Sequence, residues 1–240
     1  MHFNILTIFP EMFPGVLGQS LAGKALEKGL WGYEAINLRD FALDKHKTVD
    51  DTPYGGGAGM VMKADVLSRA VEYTIEKQSK NFSLDTKPKI IYPSPRGALL
   101  TQAKIEEFTA HKNLTILCGR YEGVDHRVLE KHGIEEVSIG DYILSGGEVA
   151  AIVIIDACIR KLNGVIGNPQ THSEESFSEG KFRNLLEYPH YTRPERWEGM
   201  SVPEVLKNGN HALIEKWRLE QAETATKQRR PDLWKKYKES

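Results

Sequence analysis

Leu114-Thr115-Ile116-Leu117-Cys118-Gly119-Arg120-Tyr121-Glu122-Gly123 is a short apolar run that stops abruptly at a glycine-bounded turn, and the same order returns at Glu136-Val137-Ser138-Ile139-Gly140-Asp141-Tyr142. Each run has strand length and β-branched content, and each is followed by a segment with helical spacing of its apolar residues. Working outward, the pattern predicts strands over 3–8, 33–38, 89–92, 114–118 and 136–139, with helices over 13–28, 63–78, 101–109, 124–131 and 147–161. Strands alternating with helices imply an α/β domain with a mostly parallel sheet, here over residues 1–162. The alternation ends at Asn163. A stretch rich in Gly, Asn, Ser and Glu follows, broken by Pro169, and reads as a flexible linker over 163–180. Past Pro189, Pro194 and Pro203, an amphipathic run over about 211–227 marks a small helical domain, 181–240.

Bulk properties narrow the class. Cys118 and Cys158 offer no pairing framework, which favours a reducing cytosol. The apolar stretch 149–159 contains Asp156 and is too short to span a bilayer. The opening run at 1–9 lacks a positive leader and reads as a first strand. Charge is unevenly placed: residues 181–240 carry 13 Lys/Arg against 9 Asp/Glu, whereas 1–180 carry 19 against 24. A basic end on a mildly acidic body suits a polyanionic partner, although a solvated tail gives the same counts.

Three loops at predicted strand ends concentrate the chemistry: Tyr92-Pro93-Ser94-Pro95-Arg96-Gly97, Cys118-Gly119-Arg120-Tyr121-Glu122-Gly123 and the run from Ser138 to Glu148. Ligands of open α/β sheets bind at that edge. The exposed backbone of such loops can read an adenine edge while Tyr92, Tyr121 and Tyr142 flank its ring. A further glycine-rich stretch, Asp50-Asp51-Thr52-Pro53-Tyr54-Gly55-Gly56-Gly57-Ala58-Gly59-Met60, is neither a phosphate-binding P-loop nor a dinucleotide turn, and taken alone it is a tight structural loop. The histidines and cysteines lack metal-ligand spacing, and no Gly-x-Ser-x-Gly elbow occurs. Near the end, Tyr188-Pro189-His190-Tyr191-Thr192-Arg193-Pro194, Lys216-Trp217-Arg218 and Lys227-Gln228-Arg229-Arg230 interleave aromatics with cations, as base stacking plus phosphate contact requires. By residue chemistry alone Arg160 offsets a helix dipole and Glu174 and Glu175 are solvated linker carboxylates.

Those segments in that order, with Leu144-Ser145-Gly146-Gly147-Glu148 and Lys216-Trp217-Arg218-Leu219, resemble the bacterial tRNA (guanine-N1)-methyltransferases of the SPOUT class over nearly the whole chain. The resemblance implies a deep trefoil knot, which general topology rules would have argued against, and a small all-helical C-terminal domain that grips the tRNA anticodon stem-loop. It implies a cytoplasmic homodimer with active sites at the interface. S-Adenosylmethionine is then the methyl donor, held by Tyr92, Pro95, Gly119, Tyr121, Glu122, Ile139, Gly140, Tyr142, Leu144, Gly146 and Gly147. It implies Arg160 as a supporting cation and a linker carboxylate as the base that frees guanine N1 of its proton. Glu175 stands where the family carries aspartate, with Glu174 the second candidate. Mg²⁺ stimulation is a family property, without a dedicated metal site. The alternatives are a knotted methyltransferase for another RNA position and an RNA-binding module without catalysis; donor binding separates the latter.

Overall fold

The computed structural model describes residues 1–81, 88–167, 174–178 and 180–239, without the side chains of residues 80 and 81. The chain divides into two compact units, Met1–Gly167 and Asn168–Ser240.

The first unit is built on a five-stranded sheet. Its strands are β1 (His2–Thr7), β2 (Gly32–Asn37), β5 (Lys89–Leu99), β6 (Asn113–Leu117) and β7 (Glu135–Ser138), in the spatial order β2-β1-β6-β5-β7. Every neighbouring pair is parallel. Alternation along the strands sends Phe3, Ile5, Leu114 and Ile116 to one face and Leu6, Ile90 and Leu117 to the other. The first face is covered by α1 (Ser20–Glu27), α3 (Gln102–Thr109) and α5 (Gly147–Lys161), through Ala25, Phe108, Ile154 and Ile155 among others. The second is covered by α2 (Ala64–Asn81) and α4 (His126–His132), through Val66, Leu67 and Val128. Caps set the limits locally. Thr101 accepts from the Lys104 N–H to start α3, Asp125 accepts from the Arg127 N–H to start α4, and Gly133, left-handed at φ +60°, ends α4. A two-residue antiparallel ladder joins β3 (Asp50–Asp51) to β4 (Val61–Met62), closing the glycine-rich stretch between them.

Two expectations need correction. The helix expected over 13–28 begins only at Ser20. The preceding chain forms two 3₁₀ turns, Pro10–Met12 and Gly15–Gly18, because Pro14 and the two glycines oppose a continuous helix and Gly15 takes φ +53°. The strand expected to end at residue 92 instead runs to Leu99. Pro93 and Ala98 both pair with Val137, so the prolines sit in a bulge, and pairing resumes beyond it.

The second unit holds a 3₁₀ turn (Gly180–Phe182), a two-residue ladder of β8 (Arg196–Trp197) with β9 (Met200–Ser201), a 3₁₀ turn (Glu204–Leu206), α6 (His211–Arg229) and α7 (Pro231–Glu239). It is therefore not all helical: Gly199, at φ +82°, and Glu198, at φ +49°, turn the chain back on itself and close the ladder. Its core is Phe182, Leu185, Tyr188 and Ala222, with Leu219, Trp234 and Tyr237 packed on it. Of the expected linker, residues 168–173 and 179 lie outside the described residues. Residues 174–178 are tied within the second unit, since the Phe177 N–H donates to the Leu185 carbonyl (3.2 Å) and the Glu187 N–H to the Ser176 hydroxyl (2.8 Å).

Candidate active site

At the bulge of β5 and the carboxyl ends of β6 and β7 the first unit opens a cavity of about 260 Å³. Three segments wall it: the bulge of β5, the loop after β6, and the loop from β7 into α5. Tyr92, Pro95, Gly119, Tyr121, Glu122, Ile139, Gly140, Tyr142, Leu144, Gly146 and Gly147 all line it, as do Arg120, Ser145 and Ala150. Its position follows from the sheet, because parallel strands deliver their following loops to one edge.

Local contacts explain how these loops hold their shape. The Gly147 N–H donates to the Gly119 carbonyl at 2.8 Å, seating the first turn of α5 against the β6 loop; a Cβ on Gly147 would lie 2.9 Å from the Cys118 Cα, so the approach needs glycine. The glycine-rich stretch after β3 docks on the same loop. The Glu122 N–H donates to the Met60 carbonyl (3.0 Å), the Met62 N–H to the Gly123 carbonyl (2.9 Å), and the Arg120 N–H to the Met62 sulfur (3.3 Å). That stretch thus supports the cavity from behind, although residues 50–60 do not line it. Tyr142 is exposed at the cavity mouth, with its hydroxyl donating to the Ile139 carbonyl (3.3 Å). Tyr92 is buried. Burial and then the nearby Glu136 carboxylate raise its hydroxyl pKa, so it stays a neutral ring with a donor at its tip.

One set of contacts behind the cavity wall escaped the sequence reading. Glu148, fully buried in the first turn of α5, accepts from the Thr7 hydroxyl (2.7 Å) and from the Arg120 Nε–H (2.8 Å). The Arg120 guanidinium also lies 4.5 Å from the Phe9 ring centroid. Cys118, directly beneath, has its thiol pKa pushed up by burial and then by the Glu148 charge, so it is an inert packing group rather than a nucleophile.

The two expected catalytic residues stand elsewhere. Arg160 is exposed in the last turn of α5, and Glu175 belongs to the second unit; neither lines the cavity. Glu174 is engaged as an anchor. It accepts from the Tyr188 hydroxyl (2.6 Å) and from Arg218 Nη1 (2.9 Å), while the Arg218 guanidinium lies 4.8 Å from the Tyr188 ring centroid. Burial and then the bond to Glu174 raise the Tyr188 hydroxyl pKa. Elsewhere on the second unit Tyr191 and Trp217 rings lie 6.2 Å apart, with Tyr191 and Trp197 exposed and Lys216 nearly three-quarters exposed. Aromatic faces beside cations are a surface that nucleic acid can use. Among the described residues no group of three or more His, Cys, Asp or Glu side chains could hold a metal ion, and no helix is long and apolar enough to cross a membrane.

Fold and cavity together define an α/β protein with a ligand site made by loops at the carboxyl edge of a parallel sheet. Comparison with known proteins takes the assignment further. The sequence pattern of the tRNA (Guanine-1)-methyltransferase TrmD family matches residues 1–236, and the chain belongs to that family. It is 56% identical over 234 residues to a tRNA (guanine-N(1)-)-methyltransferase of Rhizorhabdus wittichii, covering 98% of this chain and 91% of that protein. A protein of the same name from Mesorhizobium japonicum is 58% identical over 230 residues, covering 96% and 94%. Another, from Rhizobium etli, is 55% identical over 233 residues, covering 97% and 95%. Membership makes this chain a methyltransferase of tRNA guanine N1 with S-adenosylmethionine as methyl donor.

Proposed function

We propose that the protein methylates N1 of the guanosine immediately 3′ of the anticodon, with the donor in the cavity at the β5 bulge and the ends of β6 and β7. The observation that carries the placement is the convergence of three glycine-bearing loops and three tyrosines on one cavity. Its mixture of aromatic rings and open backbone suits an adenosine, and the donor supplies an electrophilic methyl group. Around it, Tyr92 packs the inner wall, and the backbone of the 119–122 and 139–144 loops offers the donors and acceptors that orient the ligand. In this reading the segment through β5, β6 and α5 forms the trefoil knot of the SPOUT class.

Guanine N1 carries a proton and attacks only when that proton leaves. Glu175 accepts it, and Arg160 steadies the charge that moves toward O6. Glu174 keeps its two hydrogen-bond partners and holds the segment that carries Glu175. The two roles are brought together in a homodimer. Support comes from α5, where Val149, Val153, Asp156 and Arg160 form one exposed stripe at helical spacing, its first two members apolar. A second copy covering that stripe brings Arg160 into a shared site. The second unit, with its basic and aromatic surface, takes the anticodon stem-loop, and the residues around 163–180 connect the two functions. The enzyme works in the cytoplasm.

The deciding experiment is methyl transfer from labelled S-adenosylmethionine to paired tRNA transcripts carrying guanosine or adenosine 3′ of the anticodon. Label on the first alone, mapped to N1, is the expected result; equal labelling, or none despite donor binding, refutes the position. Glu175→Gln should lower kcat by about 10²–10⁴-fold with both ligands still bound, and near-normal turnover removes Glu175 as the base.

A further inference from the structure

Glu148 is a carboxylate with no exposed surface in a chain where most acids face solvent, and it does not itself line the cavity. Each of its oxygens is taken: Oε1 by the Thr7 hydroxyl at the end of β1 and Oε2 by the Arg120 Nε–H in the loop after β6. Thr7 is fixed in turn, because its oxygen accepts from the Phe9 N–H at 3.0 Å. Arg120 continues the chain of contacts, donating from Nη1 to the Ser145 carbonyl at 3.3 Å, and both Arg120 and Ser145 are cavity wall. The guanidinium also crosses Gly146 so closely that a Cβ there would fall 2.3 Å from its Nε. One buried carboxylate therefore connects β1, the β6 loop, the loop before α5 and α5 itself.

Stability alone is a weak reason for such a pair. Burying two charges forfeits hydration about as large as the attraction gained, and apolar replacements of similar shape are often neutral or better. Geometry is what the pair supplies. The Gly147 N–H to Gly119 carbonyl bond ties the two loops at one point, and a guanidinium held by a fixed carboxylate adds a second tie along the Arg120–Ser145 edge. We propose that Glu148 is a positioning residue for the methyl donor: through Arg120 it sets the spacing of the 119–123 and 142–147 loops. The inference rests on the reading that this cavity is the donor site.

Glu148→Gln in the full chain tests it, because the amide preserves volume and removes the charge. The readouts are the Kd for S-adenosylhomocysteine by calorimetry, KM for S-adenosylmethionine and for tRNA, kcat, and thermal melting. Loss of one charge-assisted hydrogen bond should raise the donor KM and the product Kd by about tenfold while tRNA KM stays within about twofold. Thr7→Val, which frees one carboxylate oxygen and leaves the ion pair, should shift the donor KM the same way by about threefold. Lower melting with unchanged donor KM in either variant overturns the proposal and leaves a structural pair. If Glu148→Gln does not fold, Thr7→Val alone decides by the same criterion. Wild-type protein that binds no S-adenosylhomocysteine refutes the donor site itself, whereas equal binding by wild type and Glu148→Gln refutes only the positioning role.

Discussion

The two units differ in how deeply they bury an ion pair. In Met1–Gly167 the sheet is packed on both faces, and beside exposed ion pairs such as Lys47 with Asp40 there is one, Arg120 with Glu148, whose carboxylate is fully buried. In Asn168–Ser240 a small cluster around Leu185 does the packing, and the pairs stand in or near water: Arg218 with Glu174, and Arg230 with Asp232, whose side chains are about half exposed. A deep core can fix a cavity to fractions of an ångström, since close-packed interiors transmit displacement. A shallow one with solvated cations keeps a surface open to a polyanion, whose contacts depend on salt. The proposed roles divide along the same line, precision going to the cavity of the first unit and electrostatic reach to the second unit.

The largest break in that contrast is Phe108→Ala. Phe108 is fully buried between α3 and the sheet, with the ammonium groups of Lys89 and Lys104 5.7 and 5.5 Å from its ring centroid. Its truncation should lower the stability of the first unit by about 3–5 kcal/mol, read from the main urea transition. A loss below about 1 kcal/mol would show that the sheet is not packed as described. Thr226→Val probes the second unit. The buried Thr226 hydroxyl donates to the Ala222 carbonyl (2.7 Å) and accepts from the Leu186 N–H (2.8 Å). Valine keeps the volume and orphans that N–H, so the cost should be about 1–2 kcal/mol. It should appear in a transition of the second unit, monitored by near-ultraviolet dichroism of its tryptophans, with donor binding unaffected. Coincident loss of donor affinity would break the separation between the units.

Much of the first unit is legible because its signals are local. Helix α5 has the bounds 147–161 expected from spacing, and the loops that wall the cavity announce themselves as glycine and tyrosine directly after apolar runs. What sequence reading misses is non-local or masked by a stronger signal. Glu148 pairs with Thr7 across 141 residues and with Arg120 across 28, and no periodicity links them. Pro93 and Pro95 read as strand breakers, yet a bulge lets the strand absorb them and continue. The expected helical run stops at about residue 227 and leaves α7 unmarked, although Trp234 and Tyr237 dock that helix on the core. Cap chemistry would have found it: Pro231 at the first helical position and Asp232 next to it are a helix start.

That helix start offers the finest test of the contrast. The hydrogen bond from Arg230 and its charge hold the Asp232 carboxyl pKa down at about 2, on a side chain about half exposed to solvent. A carboxyl depressed in the folded state favours folding above its unfolded pKa and loses that contribution as pH falls through the folded value. Here the window is about pH 4 down to about pH 2. The effect should be small, because an exposed pair is screened and entropically costly to hold. Titration of the Asp232 carboxyl by NMR should give a low apparent pKa that rises toward the ordinary range as salt is raised from about 0.01 to about 1 M, following the Debye length. The pairing of Glu148 with Arg120 should be indifferent to the same change, since no solvent reaches its carboxylate. A salt-dependent donor KM in wild-type enzyme, with Asp232 insensitive, would reverse the assignment of precision and reach between the two units.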